Sequence, residues 1–545
     1  MNFIINETAK KLRGGYYTPI ELANFISQWV IGINTKSILE PSCGDGIFLE
    51  TINSLCNNFE HKTEFLGLEL EQEEAAKAYE RANYCHNLNS NIINDDFLSW
   101  AIGNLDQEPM FDAVVGNPPF IRYQYLPDIM QDEAETIFKF LNIKFTKHTN
   151  AWVPFVLASL HMLKPGGRFG MVVPAEILHV IHAQSVRSYI SNVCSKILIF
   201  DPEDIWFEDT LQGAVILLAE KKKDPNSKSQ GLSIIQTKGL DFTQTNPFEY
   251  FNNANYTNGD TLKGKWTYAL LSKNEFSVYK SLLKNSFISK FADIADVDVG
   301  IVTGANNFFL VNDEIVQMYD LSSYAHPMFG RSEHCPGIVY DINQHSKNAQ
   351  KSLPTNFIWF DSNENFSDLQ KQYISLGESQ GLHTRYKCRI RKPWYKVPSV
   401  YATPLCMLKR SHDIPRLIVN RLNAYTTDTA YRIKMLKPEI NPDLLAYSFI
   451  NSLTALSAEL EGRHYGGGVL ELVPSEIEKL LIPISSKITP FVDELDSQIR
   501  TLKTEDILSL QDRNVLANVG LSPNEIITLQ NAWFRLKNRR QRVKN

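Results

Sequence analysis

Four stretches carry residue types that could do chemistry. They are Glu40-Pro41-Ser42-Cys43-Gly44-Asp45-Gly46, Glu69, Asp96-Phe97 and Asn117-Pro118-Pro119-Phe120. Each closes a short apolar run that reads as a strand. In an open parallel sheet, ligands bind beyond the carboxyl ends of the strands. The glycines of the first stretch let backbone approach a ligand that a side chain would block. That stretch is neither G-x-G-x-x-G nor a P-loop, so a phosphate cradle is a poor reading. Glu69 follows the second run, roughly twenty residues on, where a carboxylate accepts hydrogen bonds from ribose hydroxyls. Asp96 can accept from an exocyclic amine, and Phe97 can cover an adenine face. Singly each is commonplace. As an ordered series on successive strands, they describe a pocket for an adenosine without a triphosphate.

The fourth stretch asks for a different ligand. Two consecutive prolines forbid both helix and ladder, which leaves the Pro118 carbonyl available to a site. Asn117 adds an amide oxygen close by. Two fixed acceptors suit an –NH2 group with two hydrogens to donate, and Phe120 offers a flat face for a planar base. An amine on a base is a poor nucleophile because its lone pair is delocalised into the ring. Accepting both of its hydrogens moves the nitrogen toward sp3 geometry and exposes that pair. No metal or strong base is needed.

The elements that must position these residues alternate. A helix reads from "PIELANFISQWVIGI", with Thr18 as cap and Pro19 in its first turn. Strands read at 37–40, 64–70, 91–97, 111–117 and 168–174, then at "KILIFDP" and 213–223, with helical spacing between most of them. Such alternation means an α/β fold with a parallel sheet covered on both faces. After about residue 225 polar clusters separate short apolar runs. The expected division is therefore a domain over 1–225 and a mixed α+β domain over 226–545.

Composition bounds the rest. The 545 residues are 43% hydrophobic and 21% charged, which is ordinary for a globular chain. No apolar run is long enough for a membrane span, and the start lacks a signal-peptide core, so a cytoplasmic protein is expected. The seven cysteines never fall as C-x-x-C, and the histidines form no H-E-x-x-H. His179 and His182 could share a helix face but lack a carboxylate partner. No metal site is expected. The net charge of −6 does not advertise nucleic-acid binding, but a local basic stripe decides that question. Residues 383–396, "HTRYKCRIRKPWYK", hold Arg389, Arg391, Lys392 and Lys396 among others, and no acid. Interleaved Tyr386, Trp394 and Tyr395 point to phosphate and base contact. The terminal "RLKNRRQRVKN" reads as a frayed, solvated tail.

"ILEPSCGDGIF" followed by "FDAVVGNPPF" resembles the S-adenosylmethionine-dependent DNA adenine-N6 methyltransferases of bacterial restriction–modification systems. With "GGYYTP" before the Gly-rich turn and a long C-terminal region, the motif order is similar to the gamma class. The resemblance implies a Rossmann-like class I methyltransferase sheet and a C-terminal target-recognition domain. It implies S-adenosyl-L-methionine as cofactor, with Thr18 and Pro19 closing over its methionine end. Glu40, Cys43, Gly44, Asp45 and Gly46 line the methionine part, Glu69 holds the ribose, and Asp96 and Phe97 hold the adenine. Asn117 and Pro118 bind the target amine, and Phe120 stacks on the target base. A second aromatic wall precedes the last strand, with Phe207 the candidate and Trp206 the fallback.

Double-stranded DNA is the implied partner, with Arg122, Tyr123, His464 and Tyr465 joining the basic stripe as contacts. A cognate restriction endonuclease is implied as a genetic rather than physical partner. Only about 13 residues precede "GGYYTP", so a solitary modification enzyme is expected rather than a nuclease fusion. Two alternatives stay open: a methyltransferase acting on protein glutamine or an RNA amine, and a non-catalytic DNA-specificity subunit.

Overall fold

The computed structural model describes residues 17–32, 34–180, 183–203, 206, 213–258, 264–360, 365–465 and 467–541. Two compact units divide at Leu270/Leu271, later than the expected 225. The chain beyond 225 first returns to the first unit. It adds a strand at Gly231–Thr237, buries Trp266 in the same core, and receives Arg187, whose buried guanidinium donates to the carbonyls of Ile177, Val180 and Gly264.

Eight strands build the first unit: β1 Ser37–Glu40, β2 Thr63–Glu69, β3 Leu88–Asn94, β4 Phe111–Gly116, β5 Leu163–Pro174, β6 Cys194–Pro202, β7 Ala214–Lys221 and β8 Gly231–Thr237. They form one sheet in the order β3-β2-β1-β4-β5-β7-β6-β8. The parallel sheet expected from the alternation holds for every strand but β7, which runs antiparallel to both β5 and β6. Residues 203–213 are too few for the crossover helix that a parallel β7 needs. The order reverses between β1 and β4, and that reversal opens a crevice at their carboxyl ends.

Helices flank the sheet on both faces, among them α1 Ile20–Val30, α2 Ile47–Leu55, α3 Gln72–Ala82, α4 Phe97–Ile102, α5 Asp128–Phe140, α6 Trp152–Met162 and α7 Gln184–Val193. Side chains alternate across each strand. Ile38, Ala113, Val115 and Val172 join Phe25 and Trp29 of α1 in one core. Leu39, Val114, Met171 and Val173 join α6 in the other. α6 is buried almost all round, which explains its nearly unbroken apolar sequence. Its Pro154 sits in the first turn, where a missing N–H leaves no helical bond unmade. The expected cap of α1 is displaced by one residue: Pro19 occupies the N-cap, and Thr18 is free for another partner.

The second unit is mixed α+β, as expected. Its five-stranded sheet orders Ala295–Val299, Ala430–Met435, Leu405–Leu408, Leu417–Asn420 and Val339–Tyr340, antiparallel except for the last pair. Two helices, α8 Ser452–Glu461 and α9 Pro523–Gln541, pack together. The expected frayed tail is therefore helix up to Gln541, with Leu536, Lys537 and Arg540 buried. Arg540 is held by the buried Glu459 carboxylate, a partner 81 residues away. Among the described residues, no helix is long and apolar enough to cross a membrane.

Candidate active site

Backbone hydrogen bonds stitch three strand ends together. Cys43 N–H donates to the Leu68 carbonyl (2.8 Å), and Gly44 N–H donates to the Glu69 carboxylate (2.9 Å). Asp95 N–H and the Asn94 amide both donate to the Glu69 carbonyl. The turn after β1 needs its glycines. Gly44 and Gly46 lie at φ +52° and +85°, and a Cβ on Gly46 would stand 3.2 Å from the Ala78 backbone.

Carboxylates dominate this corner. Glu40 is 1% exposed, and its Oε2 has no hydrogen-bond partner. Burial, reinforced by Glu69 and Asp45, holds its carboxyl well above the usual range. Burial also raises Glu69, against the lowering effect of N–H bonds from Glu71 and Gly44. The Cys43 thiol is pushed well up by burial and by the same acids. Such a corner suits a cationic ligand, which would relieve the orphaned oxygen and the like-charge repulsion together. S-adenosylmethionine carries a sulfonium and an ammonium, so the residues fit it. Asp45 is drawn off by an ion pair with Arg81 (3.1 Å).

Asp96 caps α4: its Oδ1 accepts from the N–H groups of Leu98 and Ser99, which leaves Oδ2 for a ligand. Phe97 is 2% exposed and packs against Phe155 and Trp100, so its ring serves the core, which leaves little of it to cover an adenine. Glu69→Ala is expected to weaken S-adenosylmethionine binding about 10- to 100-fold, the usual worth of a hydrogen bond to a charged group. Calorimetric titration reads this directly, and unchanged affinity would remove Glu69 from the site.

Asn117 lies beside this corner. Its backbone carbonyl accepts from Ser42 Oγ (3.1 Å), and its Nδ2 donates to Thr18 Oγ1 (3.3 Å). The amide nitrogen faces Thr18, and Oδ1 is the acceptor at the other corner of the same amide. The Pro118 carbonyl takes no hydrogen bond among the described residues. Phe120 is half-buried against both cores. Pro19, one residue on from Thr18, brings the start of α1 to the same place. Phe207 lies outside the described residues. Trp206 stacks on Phe242 (5.9 Å, 27°) within the α1-side core.

A network that sequence reasoning missed holds the chain after Phe120. Asn150 Oδ1 accepts from Tyr123 N–H (3.0 Å), and Asn150 Nδ2 donates to Glu176 (2.5 Å). Glu176 also accepts from Trp152 Nε1 (2.8 Å). Glu176 carries the same signal that singled out Glu69, a carboxylate just past a strand's carboxyl end. Asn150 has no local signal. Arg122 is exposed, and Tyr123 packs edge-on to His148 (4.8 Å).

In the second unit the basic stretch splits by role. Arg385, Lys387, Arg389, Lys392 and Lys396 are exposed, and Arg389 lies over the exposed Tyr386 ring (5.7 Å). Arg391 instead donates to the carbonyls of Val302 (2.6 Å) and Thr303 (2.7 Å), so it fixes the 300–307 turn. Trp394 is a core ring beside Phe308, not a base platform. His464 contacts Glu459 and Arg539, which removes it from the expected backbone contact, whereas Tyr465 is 41% exposed.

Comparison with known proteins follows the same two units. Residues 2–260 match the family model described as N-6 DNA Methylase, and 263–516 match that of the C-terminal domain of the type II methyltransferase M.Eco57I. The chain is 25% identical over 482 residues to the type II methyltransferase M.AccI of Acinetobacter calcoaceticus, covering 85% of this chain and 84% of that protein. M.HindII of Haemophilus influenzae is 22% identical, over 57% of each chain. Among solved structures, the type IIL restriction–modification enzyme MmeI in complex with DNA is similar in fold. Its TM-score is 0.53 at 11% identity, over 94% of this chain and 73% of that one.

Proposed function

From a chain that belongs to the N6-adenine DNA methyltransferases of restriction–modification systems, we infer a site-specific enzyme of the gamma class that methylates a flipped-out adenine in double-stranded DNA. The observation that carries this reading is the position of Asn117. Its side-chain nitrogen is held by Thr18 and its backbone carbonyl by Ser42, next to the carboxylate corner suited to a cationic nucleoside.

S-adenosylmethionine, when bound, supplies an electrophilic methyl group on sulfur. Glu40 and the Cys43–Gly46 turn would receive its methionine end, Glu69 its ribose and Asp96 its adenine amine, with Thr18 and Pro19 beside the methionine end. Asn117 Oδ1 and the Pro118 carbonyl accept the two hydrogens of the target N6 amine. Both acceptors favour sp3 geometry and free the nitrogen lone pair for attack. The proton that the N6 nitrogen would shed on methylation would leave to water. Orientation supplies most of the acceleration.

The adenine amine is buried in the duplex stack, so the base must be turned out. Stacking on Phe120 offsets part of that cost of a few kcal/mol. Methylation of its recognition site shields host DNA from a cognate nuclease. A protein-glutamine or RNA substrate would leave the M.Eco57I-type second unit and its exposed cations without a use.

Incubation of duplex DNA with the protein and S-adenosylmethionine, followed by sequencing that detects methyladenine, tests the reading. N6-methyladenine at one recurring sequence is expected. Methyl label in protein or RNA with none in DNA would overturn it.

A further inference from the structure

The second unit holds a cavity of about 80 Å³, lined in part by Asn307, Gly330, Arg331, His334, Thr427 and Thr429, and among the described residues no carboxylate lines it. His334 is 1% exposed. Its Nδ1 accepts from Gly330 N–H (3.3 Å), and its Nε2 has no partner. Burial pulls its pKa down to about 4, so near neutral pH the ring carries one hydrogen. With Nδ1 accepting, that hydrogen sits on Nε2. A buried N–H left unbonded is costly, and in a native fold it calls for an explanation.

The neighbours of His334 are donors too. Among the described residues Arg331 pairs with Glu333, at 3.4 Å and with both side chains more than half exposed, a pairing that holds it weakly. A Cβ on Gly330 would lie 2.9 Å from Thr429 Oγ1 and 3.4 Å from Thr427 Oγ1, so the absent side chain keeps both hydroxyls reachable. Asp428, bonded to the lining residue Asn306, accepts from that residue's amide at 3.3 Å. The Thr427 and Thr429 hydroxyls bond to each other (3.2 Å), which leaves one of their two hydrogens to donate. An N–H, a guanidinium, one hydroxyl hydrogen and an amide among the lining residues suit an oxyanion.

The cavity adjoins the exposed cations. The 300–307 turn reaches both: Asn307 lines the cavity, Arg391 grips the Val302 and Thr303 carbonyls, and a Cβ on Gly304 would stand 2.8 Å from Lys387 Cβ. We propose that this cavity seats one phosphodiester of the DNA backbone, with His334 Nε2–H and the Arg331 guanidinium as its donors. The exposed row Arg385, Lys387 and Arg389 continues along neighbouring phosphates. The proposal rests on double-stranded DNA as substrate and adds the point that sets its register on the second unit.

Binding of duplex DNA to the full chain across a salt series is the test. His334→Asn leaves an acceptor for Gly330 N–H and removes only the Nε2 donor. It is expected to cost about tenfold in affinity at every salt concentration, with the slope unchanged. Arg331→Gln, at the surface, is expected to flatten the slope of log K against log salt by about 0.9. Because both groups serve one phosphate, the double variant should lose less than the product of the two single losses. Wild-type binding with both single variants unchanged overturns this proposal alone. No duplex binding by the wild type overturns the DNA reading and this proposal with it. If inorganic phosphate at constant ionic strength raises the melting temperature of the wild type but not of His334→Asn, while DNA binding is unaffected, the ligand is free phosphate and the assignment to DNA falls.

Discussion

Asn117→Ala is expected to lower methyl transfer about 100- to 1,000-fold while leaving S-adenosylmethionine affinity within a few-fold of the wild type. The size follows from what one preorganised hydrogen-bonding group contributes when charge shifts in a dry site. The selectivity follows from geometry. Asn117 touches Ser42 through its backbone, which the substitution keeps, and Thr18 through its side chain, which it removes. The carboxylates of the cofactor corner belong to other strands. Single-turnover rates alongside calorimetric titration separate the two quantities. A large loss of cofactor affinity would move Asn117 from the target amine to the cofactor, and retained activity would remove it from the reaction. Asn117→Asp keeps the Oδ1 acceptor and puts a second oxygen in place of Nδ2, to which the Thr18 hydroxyl can donate, so it should retain more activity than the alanine variant.

Arg540→Met should unfold the second unit about 3–5 kcal/mol more easily, the usual result of stripping one partner from a buried ion pair. Arg540 donates Nε to both Glu459 oxygens (2.9 and 3.1 Å) and Nη2 to Oε1 (2.8 Å), and neither side chain is more than 1% exposed. It also donates to the Gly468 and Asp413 carbonyls, so it ties α9 to two loops. The remaining carboxylate would be buried with its main counter-ion gone. Burial already holds the Glu459 carboxyl above its usual range, and losing Arg540, which lowers it, would raise it further above the unfolded value. The destabilisation is therefore full above the folded pKa and fades as pH falls toward the unfolded one. Glu459→Met combined with Arg540→Met should recover most of the loss, because two apolar side chains of similar volume carry no desolvation penalty. Chemical denaturation at two pH values measures all three effects. Cofactor binding, which belongs to the first unit, serves as the internal control.

What could be read ahead of the structure was local. Glu69, Gly44, Asp96 and Asn117 stand at the ends of apolar runs, and a strand end is visible in a few consecutive residues. The direction of a strand is not: "GAVILLAEK" reads alike either way, and only the brevity of 203–213 betrays β7. Burial was equally hidden. Phe97 and Trp394 have the composition of base-stacking residues and the surroundings of core residues. Arg391 looks like its neighbours in the basic stretch, but its guanidinium is spent on carbonyls 88 and 89 residues earlier. Glu176 and Asn150 meet across 26 residues, and Arg540 meets Glu459 across 81. Such pairs exist only once the sheets have placed them. The domain boundary was misread for the same reason, since the polar texture after 225 hides a strand that rejoins the first sheet.

The reversed strand β7 has a consequence for how such a protein diversifies. In a sheet of parallel strands each connection leaves one edge and must return to the other, so its length is bound to a helix packed on a face. Because β7 runs backward, the segment from Pro202 to Ala214 leaves and re-enters at the ligand edge, and among the strands of this sheet no other connection does. A change in the length of that link alters neither the direction nor the register of a strand, and of its described residues Trp206 is the one tied to the core. Variation in length can therefore enter this sheet at its ligand edge through one link, while the register of the eight strands stays as it is.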